Sequence, residues 1–413
     1  MQDCSPEQRV VVTGMAGFSP IGNDWPTIAA ALDAGRSGVR TIDAWRSIAG
    51  MRTCLGAPVE FSVPSHFQRK ATRTMGRVAQ LAVRATELAL EDAGLRAAAI
   101  LTDGRCGVAY GSTTGSPEDG ADFALLLRMG STQGINATKY LRMMSHTAAV
   151  NIGVYFGLRG RVVPTSSACT SGSQAIGYGY EAIRWGRQTV MLCGGAEELS
   201  PVEAIVFETM GEASQRNDAP ATTPRPFDRA RDGLVIGEGA GTLVLESLTH
   251  AQTRGARIYA EVVGFGTNSD GQHVTQPNRA MMAEVMKLAL ADAHLPPAAV
   301  GYINAHGTAT TLGDNAESQA MADVFGSRVP TSSLKSYIGH TLGACGALEA
   351  WLTIAMQRAG RFAPTLNLDD PDPDCAPLDY IRGQPRAGEC EYTMSNNFAF
   401  GGINTSLVFR RWM

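Results

Sequence analysis

Short β-branched runs that stop at a glycine or a cluster of small residues recur along this chain, and helical periods fill the gaps between them. Arg9-Val10-Val11-Val12-Thr13-Gly14, Cys106–Gly111, Val162-Val163-Pro164-Thr165, Thr189–Gly195 and Thr242–Glu246 read as strands. Trp25–Leu32 and Met75–Ala93 read as helices, the second with Val78, Leu81, Ala82, Ala85, Leu88 and Leu90 on one stripe. The pattern restarts at Ile258–Phe265. Met281–Ala293 is helical, Val300–Thr308 is a strand running into a turn, Ala316–Phe325 is helical, and Lys335–Arg358 contains a long helical stretch. Tyr392–Asn396 and Asn404–Phe409 are two strands about a glycine turn. Strands alternating with helices predict an α/β fold built in layers. No linker rich in Pro, Ser or Gly divides the chain and its self-similarity is faint, so two intimately packed halves are expected, 1–255 and 256–413.

Composition narrows the function. A net charge of −4 gives no footprint for a nucleic-acid surface. The first nine residues carry neither a basic nor an apolar signal region, and no apolar run is long enough to span a bilayer. Eight cysteines are scattered without a C-x-x-C pair, which reads as reduced thiols in a cytoplasmic protein.

One of those cysteines lies where chemistry is easiest. Cys169 sits between the extended run 162–165 and a helix marked by Ala175, Ile176, Tyr180, Ile183 and Trp185, with Ser171 and Ser173 as N-cap candidates. Unpaired N–H groups at a helix start favour a thiolate. A packed, inert thiol is the alternative, since free cysteine is often simply a small apolar residue. Three distant segments bear on the choice. NAHGTAT holds His306 at a strand end, KSYIGHTLGACG holds Lys335 and His340 before a helix, and NFAFGGIN is a glycine-hinged loop. Functional groups of α/β folds gather at strand ends. A cysteine supplies a nucleophile for acyl transfer, and two neutral histidines can hold an oxygen on which charge develops, as in the enolate left by loss of CO₂. A protease-like pair needs only one histidine with an orienting Asn or Asp. A zinc site is disfavoured because His306 and His340 lack a partner at metal-ligand spacing.

PTSSACTSGSQAIG, NAHGTAT, LKSYIGHTLGACGALE and SNNFAFGGIN closely resemble the signatures of the β-ketoacyl-acyl-carrier-protein synthases, of the elongating synthase II type. RPFDRARDGLVIGEGAG and IYAEVVGFGTNSDG extend the resemblance over Arg9 to Phe409. It implies a thiolase fold, a duplicated αβαβα five-layered sandwich, usually as a homodimer. By motif, Cys169 accepts an acyl chain as a thioester. His306 and His340 bind the thioester carbonyl of malonyl-ACP, and Lys335 supports them electrostatically. Glu349, Asn304 and Asn404 are implied structural supports. The backbone N–H groups of Cys169 and Phe400 correspond to the oxyanion hole, and Phe400 with Gly401 and Gly402 to a gate. Thr308 and Thr310 match the threonines that bind pantetheine. Asn304, Glu349, Ser395 and Asn396 lie where some members place a monovalent cation. The family's enzymes carry no cofactor, because 4′-phosphopantetheine arrives on acyl carrier protein. That partner is acidic, so Arg69, Lys70, Arg73 and Arg77 are its expected docking patch.

Departures from the family pattern suggest a subtype. Thr114 stands where fatty-acid enzymes commonly carry a bulkier apolar residue at the pocket floor. Together with 140–146 and 273–277, it looks like the ketosynthases of bacterial aryl-polyene pigment clusters. Rival readings are a non-catalytic chain-length factor, which loses the nucleophile, a thiolase, which uses a second cysteine and CoA esters, and the initiating synthase III, which pairs Cys with His and Asn. Cys169 with His306 and His340 argues against all three. A catalytic chain paired with a paralogous partner remains open.

Overall fold

The computed structural model describes residues 8–413. Ten strands carry the architecture. In the first half they are β1 (Val10–Phe18), β2 (Cys106–Gly111), β3 (Val162–Thr165), β4 (Val190–Glu197) and β5 (Gly239–Ser247). In the second half they are β6 (Ala260–Ser269), β7 (Val300–Asn304), β8 (Thr331–Ser332), β9 (Tyr392–Ala399) and β10 (Ile403–Arg411). The main helices are α1 (Arg77–Asp92), α2 (Thr147–Phe156), α3 (Ser171–Arg184), α4 (Arg279–Asp292), α5 (Thr311–Phe325) and α6 (Cys345–Ala359).

These strands form one ten-stranded sheet in the order β8-β7-β9-β10-β6-β1-β5-β4-β2-β3. Each half runs through its own strands in the order third, second, fourth, fifth, first, and the two first strands meet at the middle. Val10, Val11 and Val12 of β1 pair there with Val262, Glu261 and Ala260 of β6. Helices α1 and α2 cover the outer face of the first half, α4 and α5 that of the second, and α3 and α6 pack together between the halves. The result is the thiolase fold in five layers. Strands β1 and β4 are buried along their whole length, which is why 10–12 and 190–193 read as continuous apolar runs.

The duplication is plainer in contacts than in letters. A Cβ on Gly14 of β1 would stand 2.3 Å from the Ala89 carbonyl oxygen and 2.8 Å from Ala93 Cβ. A Cβ on Gly264 of β6 would stand 2.3 Å from the Ala289 carbonyl oxygen and 2.9 Å from Ala293 Cβ. The same helix-to-strand approach is built twice. Strand β3 is the sheet edge of the first half, with Val162 and the neighbouring Val154 of α2 exposed.

Two local expectations shift. Helix α5 begins at Thr311 and not Ala316. Gly313, Asp314 and Asn315 are weak helix formers, but Asp314 is anchored by accepting from the N–H groups of Phe227 (2.7 Å) and Ala309 (3.1 Å). The 335–358 stretch is broken: Lys335–Ile338 is one short helix, Gly339 turns left-handed at φ 66°, and α6 starts at Cys345. His340 occupies the break. No described helix is long and apolar enough to cross a membrane.

Candidate active site

Cys169 and His340 each follow the third strand of their half, and the joining of the halves brings them together. The turn at Cys169 is tight, with Ala168 at φ 49°. Ser171 holds it: its hydroxyl accepts from the Ser167 N–H at 2.9 Å and donates to the Ala168 carbonyl at 2.7 Å. The expected Ser171 or Ser173 cap is therefore not made. Thr170 occupies the cap position without a side-chain bond to the helix. His306 leaves the end of β7, where its N–H and that of Gly307 each donate to the Glu317 carboxylate at 2.7 Å. The backbone of His340 is clamped by the VIGEG segment. His340 N–H donates to the Val235 carbonyl at 2.7 Å, and Gly237 N–H donates to the His340 carbonyl at 2.9 Å.

The reactive atoms then converge. His340 Nε2 lies 2.9 Å from Cys169 Sγ, and the two imidazole centroids are 5.2 Å apart at 88°. Lys335 Nζ lies 3.1 Å from His306 Nδ1 and 2.5 Å from Glu349 Oε1. These contacts assign the protons. His340 Nδ1 accepts from the Leu342 N–H at 3.3 Å, and His306 Nδ1 faces the Lys335 ammonium. In both neutral rings the hydrogen therefore sits on Nε2. Burial first, then the Lys335 charge, hold both histidines well below the usual imidazole range. Burial opposes the Lys335 charge most, yet Glu349, with Cys345 and Glu317 adding to it, keeps the ammonium above its ordinary value.

Burial also pushes the Cys169 thiol up to about 12, against the pull of Lys335 and of the Phe400 and Cys169 backbone N–H groups that point at the sulfur. This corrects the sequence expectation. A helix start favours a thiolate, but a fully buried sulfur loses more from desolvation than the helix start supplies.

A cavity of about 350 Å³ opens over these groups. Cys169, His306, His340, Thr308, Thr310 and Phe400 line it. The Thr308 and Thr310 hydroxyls are 2.9 Å apart. Phe400 stacks on Phe207 with centroids 5.4 Å apart, at the turn between β9 and β10. Gly401 (φ 90°) donates from its N–H to the Val274 carbonyl at 2.7 Å. Val274, Thr275, Gln276 and Pro277 line the mouth of the cavity, so one of the departing segments borders the site. Gly402 (φ 70°) sits over Asp270, which accepts from Asn404 Nδ2 at 2.7 Å.

Other expected residues fall elsewhere. Thr114 does not line that cavity; its hydroxyl donates to Glu203 Oε1 at 3.2 Å. Arg69, Lys70 and Arg73 are exposed, but Arg77 is half-buried in a bidentate pair with Glu238 and leaves the basic patch. Asn304 bonds Ser395 at 3.3 Å, Asn396 accepts from Ser406 at 2.7 Å, and Glu349 bonds Lys335 and Asn397. Of the four expected cation neighbours, Asn304 and Ser395 thus bond each other, while Asn396 and Glu349 are bonded to other side chains. Glu317, Asp314 and Asn397 were not legible as site residues, because the groups they serve lie elsewhere in the chain or on another element. Cys169, His306 and His340 do place three ligand-type atoms within 4.8 Å of one another. A metal would need the Nε2 lone pairs that these tautomers occupy with hydrogen.

Doubled five-stranded halves with a cysteine facing two imidazole donors define a thiolase-fold condensing enzyme. The family model "Beta-ketoacyl synthase, N-terminal domain" matches residues 7–251, and "Beta-ketoacyl synthase, C-terminal domain" matches residues 259–369. The chain belongs to the β-ketoacyl synthase family and is a ketosynthase. It is 37% identical to 3-oxoacyl-[acyl-carrier-protein] synthase 2 of Vibrio harveyi, over 98% of this chain and 99% of that protein. A crystal structure of a β-ketoacyl synthase from Burkholderia phymatum superposes with a TM-score of 0.97 at 58% identity, over 98% of this chain and all of that one. The ishigamide ketosynthase/chain length factor matches with a TM-score of 0.90 at 33% identity, over 98% of this chain and all of that chain.

Proposed function

We propose that the enzyme condenses an acyl chain held on Cys169 with malonyl-ACP, with loss of CO₂, to give β-ketoacyl-ACP. The observation that carries this reading is the pair of Nε2–H donors, one of them 2.9 Å from the sulfur. In the first stage Cys169 Sγ attacks the thioester carbonyl of acyl-ACP. The Cys169 and Phe400 N–H groups hold the oxyanion. Collapse breaks the carbon–sulfur bond to pantetheine, whose sulfur leaves with the proton the cysteine gave up. In the second stage Thr308 and Thr310 receive the pantetheine arm of malonyl-ACP, and His306 and His340 donate to its thioester oxygen. The bond to the carboxylate breaks, CO₂ leaves, and the electron pair becomes an enolate. Its carbon attacks the Cys169 thioester, and the returned cysteine sulfur takes up a proton. Neutral donors suit this step, because an imidazolium beside Lys335 would repel it. Phe400 is assigned as the gate between stages, as its glycine-flanked turn can move it off Phe207.

Intact mass of the protein after incubation with acyl-ACPs tests the assignment. An acyl adduct is expected in the native enzyme and not in Cys169→Ala. His306→Ala should keep the adduct and lose condensation by roughly 10²–10³-fold, the cost of one oxyanion donor. Adduct formation in Cys169→Ala would overturn the reading.

For the chain itself we propose an unsaturated, aryl-started substrate of the aryl-polyene type. Thr114 follows Thr113, whose carbonyl accepts from Ser166 at 3.2 Å, three residues before Cys169. The Glu203 carboxyl beside Thr114 is held well above the usual carboxylate range by burial and then by Glu197. Thr114 and Glu203 lie outside the cavity over Cys169, so on this reading the chain extends past Ser166 toward them, where a small polar residue suits an unsaturated chain better than a saturated one. In competition between saturated and polyenoyl primers, preference for the saturated chain would exclude it. A second reading, in which this is the catalytic chain of a ketosynthase/chain-length-factor pair, is favoured by the ishigamide likeness.

A further inference from the structure

Asn397, fully buried on β9, ties the polar groups behind His306 together. Its Nδ2 donates to Glu349 Oε2 at 2.7 Å and lies 3.4 Å from His306 Nδ1. Glu349 is thereby held from both sides, by Lys335 on Oε1 and by Asn397 on Oε2. The amide cannot be turned over, since Oδ1 would then face a carboxylate oxygen. Room for it depends on the first turn of α6: a Cβ on Gly346 would stand 2.7 Å from Asn397 Oδ1.

His306 Nδ1 thus faces two donors and no acceptor, which fixes its proton on Nε2. A carboxylate acceptor is nevertheless close. One ring nitrogen of His306, the Cys345 sulfur and a Glu349 oxygen lie within 4.8 Å of one another. If Glu349 Oε2 lost its donor, it would be a buried carboxylate oxygen without a hydrogen bond, a costly state. An Nδ1–H on His306 would relieve it, and would leave Nε2 without a hydrogen.

We propose that Asn397 is a positioning residue that locks the His306 tautomer, by holding the Glu349 carboxylate so that Lys335 stays aimed at His306 Nδ1. This rests on the reading of His306 as a donor to the malonyl thioester. It separates the two half-reactions. Acyl transfer to Cys169 draws on backbone N–H groups, whereas decarboxylation needs the His306 Nε2–H.

Asn397→Ala and Asn397→Asp test it, with thermal melts to show that each variant folds. Both should lower malonyl-ACP decarboxylation by roughly 10–100-fold, up to the cost of a lost oxyanion donor, and acyl-adduct formation by less than about threefold. In ¹⁵N-histidine spectra, assigned with His306→Gln, the Nδ1 and Nε2 shifts of His306 should exchange character. Asn397→Asp should regain decarboxylation as pH falls from 8 to 6, because a protonated carboxyl again donates to Glu349. A parallel loss of both half-reactions, unchanged ¹⁵N shifts, or no recovery of Asn397→Asp at low pH would overturn the proposal. Native enzyme that fails to decarboxylate malonyl-ACP would instead overturn the underlying reading of the reaction.

Discussion

Cys169 carries a thiol whose surroundings resist ionisation: burial raises it to about 12 even though Lys335 and two backbone N–H groups pull the other way. The nucleophile is therefore made during the reaction and not stored at rest. The sign follows directly. Below a pKa of about 12 the thiolate fraction grows tenfold for each pH unit, with no plateau in the working range. Alkylation of Cys169 by iodoacetamide, followed by mass, should rise about tenfold per unit from pH 7 to 9. A plateau near 8.5 would show an ordinary thiol. The histidines illustrate the other half of the same physics. Their identity was legible as two residues among glycines, but their neutrality comes from burial and then the Lys335 charge, and their tautomers from the Leu342 N–H and the Lys335 ammonium, which no sequence pattern marks.

The elements are legible where burial is uniform. Runs such as 10–12 and 190–193 are apolar because both faces of their strands are covered, and helix α1 shows its stripe because only one face is. Boundaries failed where a tertiary contact overrode propensity, as at Thr311–Asn315, where the bonds of Asp314 secure a turn its neighbours disfavour. The close packing of α1 on β1 and of α4 on β6 makes a paired prediction. Gly14→Ala and Gly264→Ala each force a Cβ to 2.3 Å from a helix carbonyl oxygen. Each should lower stability by about 1–3 kcal/mol or more in denaturant unfolding, as overpacking does. A neutral result at one site alone would show that the two halves do not share the contact.

At the scale of the molecule the net charge is −4, and the exposed Arg69, Lys70 and Arg73 are the positive patch we propose for docking an acidic carrier. Reversing Arg69 and Lys70 to Glu should raise KM for acyl-ACP severalfold, more so at low salt, with kcat little changed. An unchanged KM would move the docking site elsewhere. Arg77 cannot share the role, because its guanidinium is committed to Glu238. By itself the sequence determined the α/β class, the reactive residue types and, through motif resemblance, the condensing chemistry. Those properties are local: each depends on a run of neighbours that the chain carries with it wherever it folds. Only the tertiary structure decided the rest. The 3-2-4-5-1 order repeated in each half sets the third-strand loops of the two halves face to face. That meeting puts Cys169 beside His340 across 171 positions and buries the sulfur, while the packing of the second half on itself sets Lys335 against His306 and the Leu342 N–H against His340 to fix their protons. Distances between segments remote in sequence, and the loss of water around them, are made by packing and are not encoded in any single stretch.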